Sequence, residues 1–295
     1  MSDQFFIIDF PALIIVSLAS LLCALLGSFL VLTKQAVIID AISHSVLPGI
    51  VVGVLLSGSF SILYVMAGAL TSALIAVMLV YAFQHWGKIE QGAAIGAVFT
   101  AMFAFGVLLL ETQVGSRIHL DTQHVLYGAL ELTYWANPFE WSSMPTQIKT
   151  LAVLLIITII YLIAFFKELR LTTFDPTYAK ILGYKTYLFQ LALLILIALV
   201  AVGCFEATGS ILVIALFICP AAAARMLCDR MISQLLLSAL IAVLCAVGGY
   251  LCSALLPIWL GFDMTVNSAS VIALFSGICL IASIIGSPKY GILAK

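Results

Sequence analysis

Nine apolar runs of about twenty residues, almost free of charge, decide what this chain can fold into; they lie near 10–32, 37–57, 60–83, 91–110, 150–166, 186–204, 208–228, 231–255 and 268–286. At 1.5 Å rise per residue such a run crosses the hydrocarbon layer of a bilayer. In that layer no water is available to the backbone, so each run must bond internally as a helix. Only 8% of the 295 residues are charged and 64% are hydrophobic, so lipid is the solvent. The expected fold is all-α, a polytopic transmembrane bundle of about nine spans forming a single domain over residues 1–295. Two runs fit a simple helix poorly: the second carries Asp40, His44 and Pro48, and the seventh carries Pro220.

Several functions are argued against. A net charge of −1 with no polybasic run or acidic tail gives nucleic acid no foothold. The seven cysteines (Cys23, Cys204, Cys219, Cys228, Cys245, Cys252, Cys279) lie in apolar runs without a C-x-x-C pair, and read as small buried apolar residues. The opening MSDQFF has no basic stretch and no cleavage pattern follows the first run, so that span is expected to be retained. A phosphate-binding loop is missing, since Gly183-Tyr-Lys-Thr186 lacks the upstream glycine, and there is no H-E-x-x-H or G-x-S-x-G. The chain is therefore expected to be no enzyme, to hold no cofactor, and to take any energy from a partner.

Charge sets the orientation. With the N-terminus outside, ten of the twelve Lys and Arg fall on the cytoplasmic side: Lys34, Lys88, Lys167, Arg170, Lys180, Lys185, Arg225, Arg230, Lys289 and Lys295. Only Arg117 and Lys149 remain outside. Asp3, Asp9, Glu111, Asp121, Glu131, Glu140, Glu206 and Asp263 fall outside as well. An odd number of spans puts the C-terminus in the cytoplasm.

Two connections are long. Residues 111–149 hold Gly128, Pro138, Pro145 and the aromatics Tyr127, Tyr134, Trp135, Phe139 and Trp141, a mixture suited to headgroup depth, and read as a short helix plus loop on the outer face. Residues 167–185 face the cytoplasm. There Asp175-Pro176 is a helix start, with Asp as N-cap and Pro at the first helical position, and Gly183 is placed to end the helix. Such a helix is a docking element, or more plainly a connector.

Chemistry concentrates at Asp40-Ala-Ile-Ser-His44. An Asp at a helix centre within the membrane costs about 2.5 to 3.5 kcal/mol, so it marks function unless paired or near the interface. At i and i+4, Asp40 and His44 share a helix face. Carboxylate suits Mn²⁺ and imidazole suits Zn²⁺ or Fe²⁺, and two subunits meeting about a twofold axis would bring four ligands together. The plainer reading is an Asp40–His44 hydrogen bond closing a helix interface. In the outer segment, His119, Asp121 and His124 could funnel a cation or simply be solvated. His85, beside Trp86 and Lys88, reads as a solvated turn residue. The stretch from Gly203 to Ser210, through Glu206 and Gly209, permits a tight turn or close packing before Pro220.

Three blocks together resemble the ABC metal-permease family that takes up zinc, manganese or iron. They are Gly27-Ser-Phe-Leu-Val-Leu-Thr-Lys34 with Ile39-Asp-Ala-Ile-Ser-His-Ser-Val-Leu-Pro-Gly49, then Phe174-Asp-Pro-Thr-Tyr-Ala-Lys-Ile-Leu-Gly183, then Gly209-Ser-Ile-Leu-Val-Ile-Ala-Leu-Phe-Ile-Cys-Pro-Ala-Ala-Ala-Ala-Arg225. The resemblance implies a permease fold of the vitamin-B12-importer type in the bacterial inner membrane, paired with a second copy or a sister permease. It also implies ABC ATPase subunits docked on a coupling helix at about 174–183, through Phe174, Asp175, Pro176, Ala179, Leu182 and Gly183, and a metal-binding protein delivering the ion from outside. Asp40 and His44 would line the path. Lys34-Gln35 departs from the two basic residues often found there, and residues 116–128 look more like the manganese and iron branch than the zinc branch. The competing expectations are a metal transporter driven by an ion gradient, for which no internal repeat is evident, and an intramembrane enzyme using Asp40 and His44 as acid and base, for which no nucleophile motif is present.

Overall fold

The computed structural model describes residues 7, 9–57, 62–114, 130, 133–135, 143–260 and 266–287, and among them all regular structure is helical. Twelve α-helices follow in order: α1 Phe10–Leu32, α2 Val37–Ser45, α3 Leu47–Ser57, α4 Ile62–His85, α5 Gln91–Leu109, α6 Thr146–Ala164, α7 Phe166–Phe174, α8 Pro176–Ile181, α9 Thr186–Thr208, α10 Ser210–Leu227, α11 Met231–Leu260 and α12 Ser268–Gly286. Nine stretches among the described residues are long and apolar enough to cross a membrane, α2 and α3 together making the second. All nine expected spans are present.

Four boundaries differ from the sequence reading. The second span breaks at Val46 because Pro48 has no N–H to return to the His44 carbonyl. The seventh does not break: α10 runs through Pro220, which is buried in a helix that packs on α1, α11 and α12, so neighbouring helices carry it past the missing hydrogen bond. The fifth span starts at Thr146, which draws Lys149 into α6 and shortens the outer connection. Ahead of the expected helix in 167–185 stands a second one, α7. Most of the outer segment, with His119, Asp121, His124 and Gly128, lies outside the described residues.

Helix α1 is the hub, packed on α6, α9, α10 and α11. Small residues let it sit close. A Cβ at Gly27 would overlap the Phe217 carbonyl of α10, Cys23 Sγ meets Cys204 Sγ of α9 at 3.9 Å, and Ser28 and Ser238 of α11 share a buried 2.9 Å hydrogen bond. On the periphery α6 turns Ile156, Ile160 and Ile163 outward and α12 turns Leu274, Ile278 and Ile281 outward, as lipid-facing or subunit-facing helices do.

The two ends of the bundle differ. At the N-terminal end the Trp135 N–H donates to the Ile7 carbonyl at 2.9 Å, and the Tyr250 hydroxyl donates to Asp9 Oδ1 at 2.9 Å. Chain reversals place Lys34, Lys88, α7, α8 and the Cys228–Arg230 link at the other end.

The α9–α10 turn at Gly209 does not reach the N-terminal end. Cys204, near the end of α9, contacts Cys23, well down α1, and Phe217, early in α10, contacts Gly27 further down still. For helices that run side by side at 1.5 Å per residue, the two contacts put this turn roughly 13 Å below the level of Phe10. Gly209 adopts φ 83°, a conformation that L side chains rarely take, which lets one residue reverse the chain inside the bundle. The sequence reading puts Glu206 in an outer loop; it stands instead in the last turn of α9, near mid-depth, because α9 and α10 are displaced toward the opposite end.

Candidate ion-path site and coupling face

Helix α2 is short and divided in character. Ile38, Ile39, Ala41, Ile42 and Ser45 are buried, whereas Val37, Asp40 and His44 share the opposite stripe, Val37 exposed and the other two half-buried. Asp40 sits in the first turn and His44 in the last. A carboxylate near the positive end of the helix dipole and an imidazole near the negative end are both favourably placed, which lowers the cost of a polar pair here.

His44 Nε2 lies 3.6 Å from Asp40 Oδ1, longer than a direct hydrogen bond of 2.7–3.2 Å. The side chains are 32% and 46% exposed, so neither is sealed in the protein. Two ligands each about 2.1 Å from one ion at a tetrahedral angle stand about 3.4 Å apart. The spacing is thus closer to that of a chelating pair than to that of a hydrogen-bonded one. Among the described residues no group of three or more His, Cys, Asp or Glu could hold a metal. Any further ligands to an ion held by this pair would come from beyond the described residues.

Helices α4 and α5 hold the broken span. The Ser72 hydroxyl of α4 donates to the Ser45 carbonyl at 2.6 Å. Gly49 and Gly68 approach so closely that a Cβ on either would overlap the other's carbonyl. From α5, Phe99 packs on the His44 ring at 5.1 Å between centroids and Phe103 meets it edge-on at 5.5 Å. A Cβ on Gly106 would stand 2.9 Å from Pro48 Cδ. Sequence reasoning missed Ser72, Phe99 and Phe103. The i, i+4 spacing of the two phenylalanines shows that they share a face, but nothing local says that the face meets His44.

At the other end, Asp175 accepts the Tyr178 N–H at 2.9 Å as N-cap of α8, Pro176 takes the first helical position, and Gly183 follows the helix at φ 83°. These are the cap and stop expected from the sequence. Ala179 is fully buried and anchors the helix, while Phe174, Tyr178, Ile181 and Leu182 are exposed. Beside them opens a groove of about 1240 Å³ whose lining includes Phe166, Lys167, Arg170, Phe174, Tyr178 and Arg230. His85 is exposed, as expected, and stacks on Tyr81 at 5.4 Å.

The model of the ABC 3 transport family matches residues 6–286. A manganese transport system membrane protein of Bacillus subtilis, MntD, is 36% identical over 275 residues, 92% of this chain and 90% of that protein. A zinc transport system membrane protein of Treponema pallidum, TroD, is 34% identical over 284 residues, 96% of this chain and 75% of that protein. In fold, the chain resembles PsaBC from Streptococcus pneumoniae, solved in complex with Fab, with a TM-score of 0.77 at 24% identity, covering 96% of this chain and 93% of that one. With a helical bundle of this form and a family match over nearly its whole length, the chain belongs to the ABC 3 transport family and is a membrane-spanning permease subunit.

Proposed function

We propose that this permease carries a divalent transition metal inward, manganese first and then iron or zinc, driven by separate ATPase subunits. The observation that carries the reading is the half-exposed Asp40–His44 pair, 3.6 Å apart on a broken span. A carboxylate and an imidazole accept manganese, iron and zinc alike, and relatives named for manganese and for zinc support the class. Two exposed ligands suit an ion that must leave again. A second permease subunit, a copy or a sister chain, covers this face and completes the ligand set. Helix α8 and the groove beside it receive the ATPase, on the cytoplasmic side to which the Lys and Arg excess assigns them, and a metal-binding protein delivers the ion at the N-terminal end.

The test is initial-rate uptake of radiolabelled manganese by the assembled transporter. Asp40→Ala and His44→Ala are each expected to lower uptake by at least the roughly 10–100-fold that loss of an outer-shell metal partner costs, with insertion and ATPase binding unchanged. Normal uptake in both variants removes the pair from the path. Uptake that persists without ATP hydrolysis points to a gradient-driven carrier instead.

A further inference from the structure

In the buried turn between α9 and α10 one side chain is only partly buried. From Val200 to Ser210 every residue is buried except Glu206. The Thr208 hydroxyl turns back to the Cys204 carbonyl at 3.0 Å and so satisfies itself within the helix. Among the described residues no hydrogen bond or ion pair engages the Glu206 carboxylate. It continues the open stripe of α9, after Leu188, Ala192, Ile195 and Leu199, of which Leu188 and Ile195 are exposed.

Depth makes this placement informative. Three residues before Gly209, Glu206 lies roughly 17 Å inward of Phe10, about the middle of a hydrocarbon layer close to 30 Å thick. A carboxylate facing acyl chains there costs about 2.5 to 3.5 kcal/mol, and such residues face a bundle interior or a water-filled cavity. The apolar part of the stripe can meet lipid or protein; the carboxylate needs water or a cation.

We propose that Glu206 lines the ion path and contacts the cation nearer the N-terminal end than Asp40, which stands one turn from the opposite end. This rests on the reading of the chain as a cation permease. It adds a negative oxygen ligand of the kind hard divalent ions prefer. A purely structural role is distinguishable: a carboxylate near the α10 N-terminus stabilises that helix end, and its loss lowers stability without altering apparent ion affinity.

The experiment uses the assembled transporter with manganese as the probe. Glu206→Gln keeps shape and removes charge; it is expected to raise the KM for manganese by roughly tenfold, the worth of one charge-assisted contact, at little cost in maximal rate, and Glu206→Asp is expected to recover most of it. A second measurement needs no variant: a hydrophobic carbodiimide applied to the native chain is expected to modify Glu206, as read by mass spectrometry of the peptide, and manganese is expected to suppress the adduct. An unchanged KM in Glu206→Gln overturns the proposal. If that variant does not assemble, an absent adduct, or one indifferent to manganese, overturns it. The two readings fail separately: loss of uptake in Asp40→Ala with an unchanged KM in Glu206→Gln sinks only this inference, and the reverse pattern sinks the Asp40–His44 site.

Discussion

The Ser45 carbonyl receives its 2.6 Å hydrogen bond from Ser72, on a different span, one residue past His44 and at the point where the helix breaks. Side-chain hydrogen bonds inside membranes are worth only about 0.6 kcal/mol on average, so the contribution of this one is to aim rather than to stabilise. Ser72→Ala is therefore expected to lower the unfolding midpoint by no more than about 2 °C while raising the KM for manganese. A midpoint drop with unchanged transport kinetics makes the bond structural only. The same contrast explains what was legible at this scale. Asp40 and His44 could be found because i, i+4 spacing is local and charge in an apolar run stands out. Ser72, Phe99 and Phe103 could not, because nothing within their own helices distinguishes a serine or phenylalanine facing lipid from one facing the site.

Helix α8 was readable to its ends because its cap and stop are written in residue types: Asp175 bonds the Tyr178 N–H, Pro176 fits the first turn, and Gly183 takes φ 83°. The preceding helix α7 was not readable, since Phe166–Phe174 mixes charge, Thr and aromatics with no clear apolar stripe and no start signal. Proline gave opposite results in two spans. Pro48 sits at a real break, held by α4 and α5, whereas Pro220 is carried through by packing on three helices, which the local sequence does not encode. Because α8 is exposed and anchored mainly through Ala179, losing its cap should loosen the element without unfolding the bundle. Asp175→Ala, at a cost of about 1 kcal/mol to that helix, is expected to reduce ATPase co-purification and transport-coupled ATP hydrolysis while leaving the thermal midpoint of the bundle in place. Full ATPase retention would show that α8 needs no cap to dock.

For the whole molecule, nine spans and the separation of basic residues to one end follow from hydropathy and charge, quantities that any window of sequence carries. The inward displacement of α9 and α10 does not, because it depends on Cys23 meeting Cys204 and Gly27 meeting Phe217 across nearly two hundred residues. That displacement turned an expected loop carboxylate, Glu206, into an intramembrane one. Nor does hydropathy tell a lipid-facing stripe from a subunit interface, and the α2 stripe illustrates why this matters. Val37 is 58% exposed and lies on the same stripe as Asp40 and His44, so a neighbour seated on Val37 stands next to the side of the pair that Phe99 and Phe103 leave open. Lipid would leave a carboxylate and an imidazole without partners, whereas a second permease subunit would supply them. A photo-reactive side chain placed at Val37 in assembled transporter is therefore expected to give an adduct with a permease chain, whose mass tells a copy from a sister subunit. The same residue type at Ile163, 75% exposed on α6 and far along the chain from that stripe, serves as the comparison. Adducts at Val37 with lipid alone would leave the Asp40–His44 pair outside any subunit seam, and the four-ligand site with it.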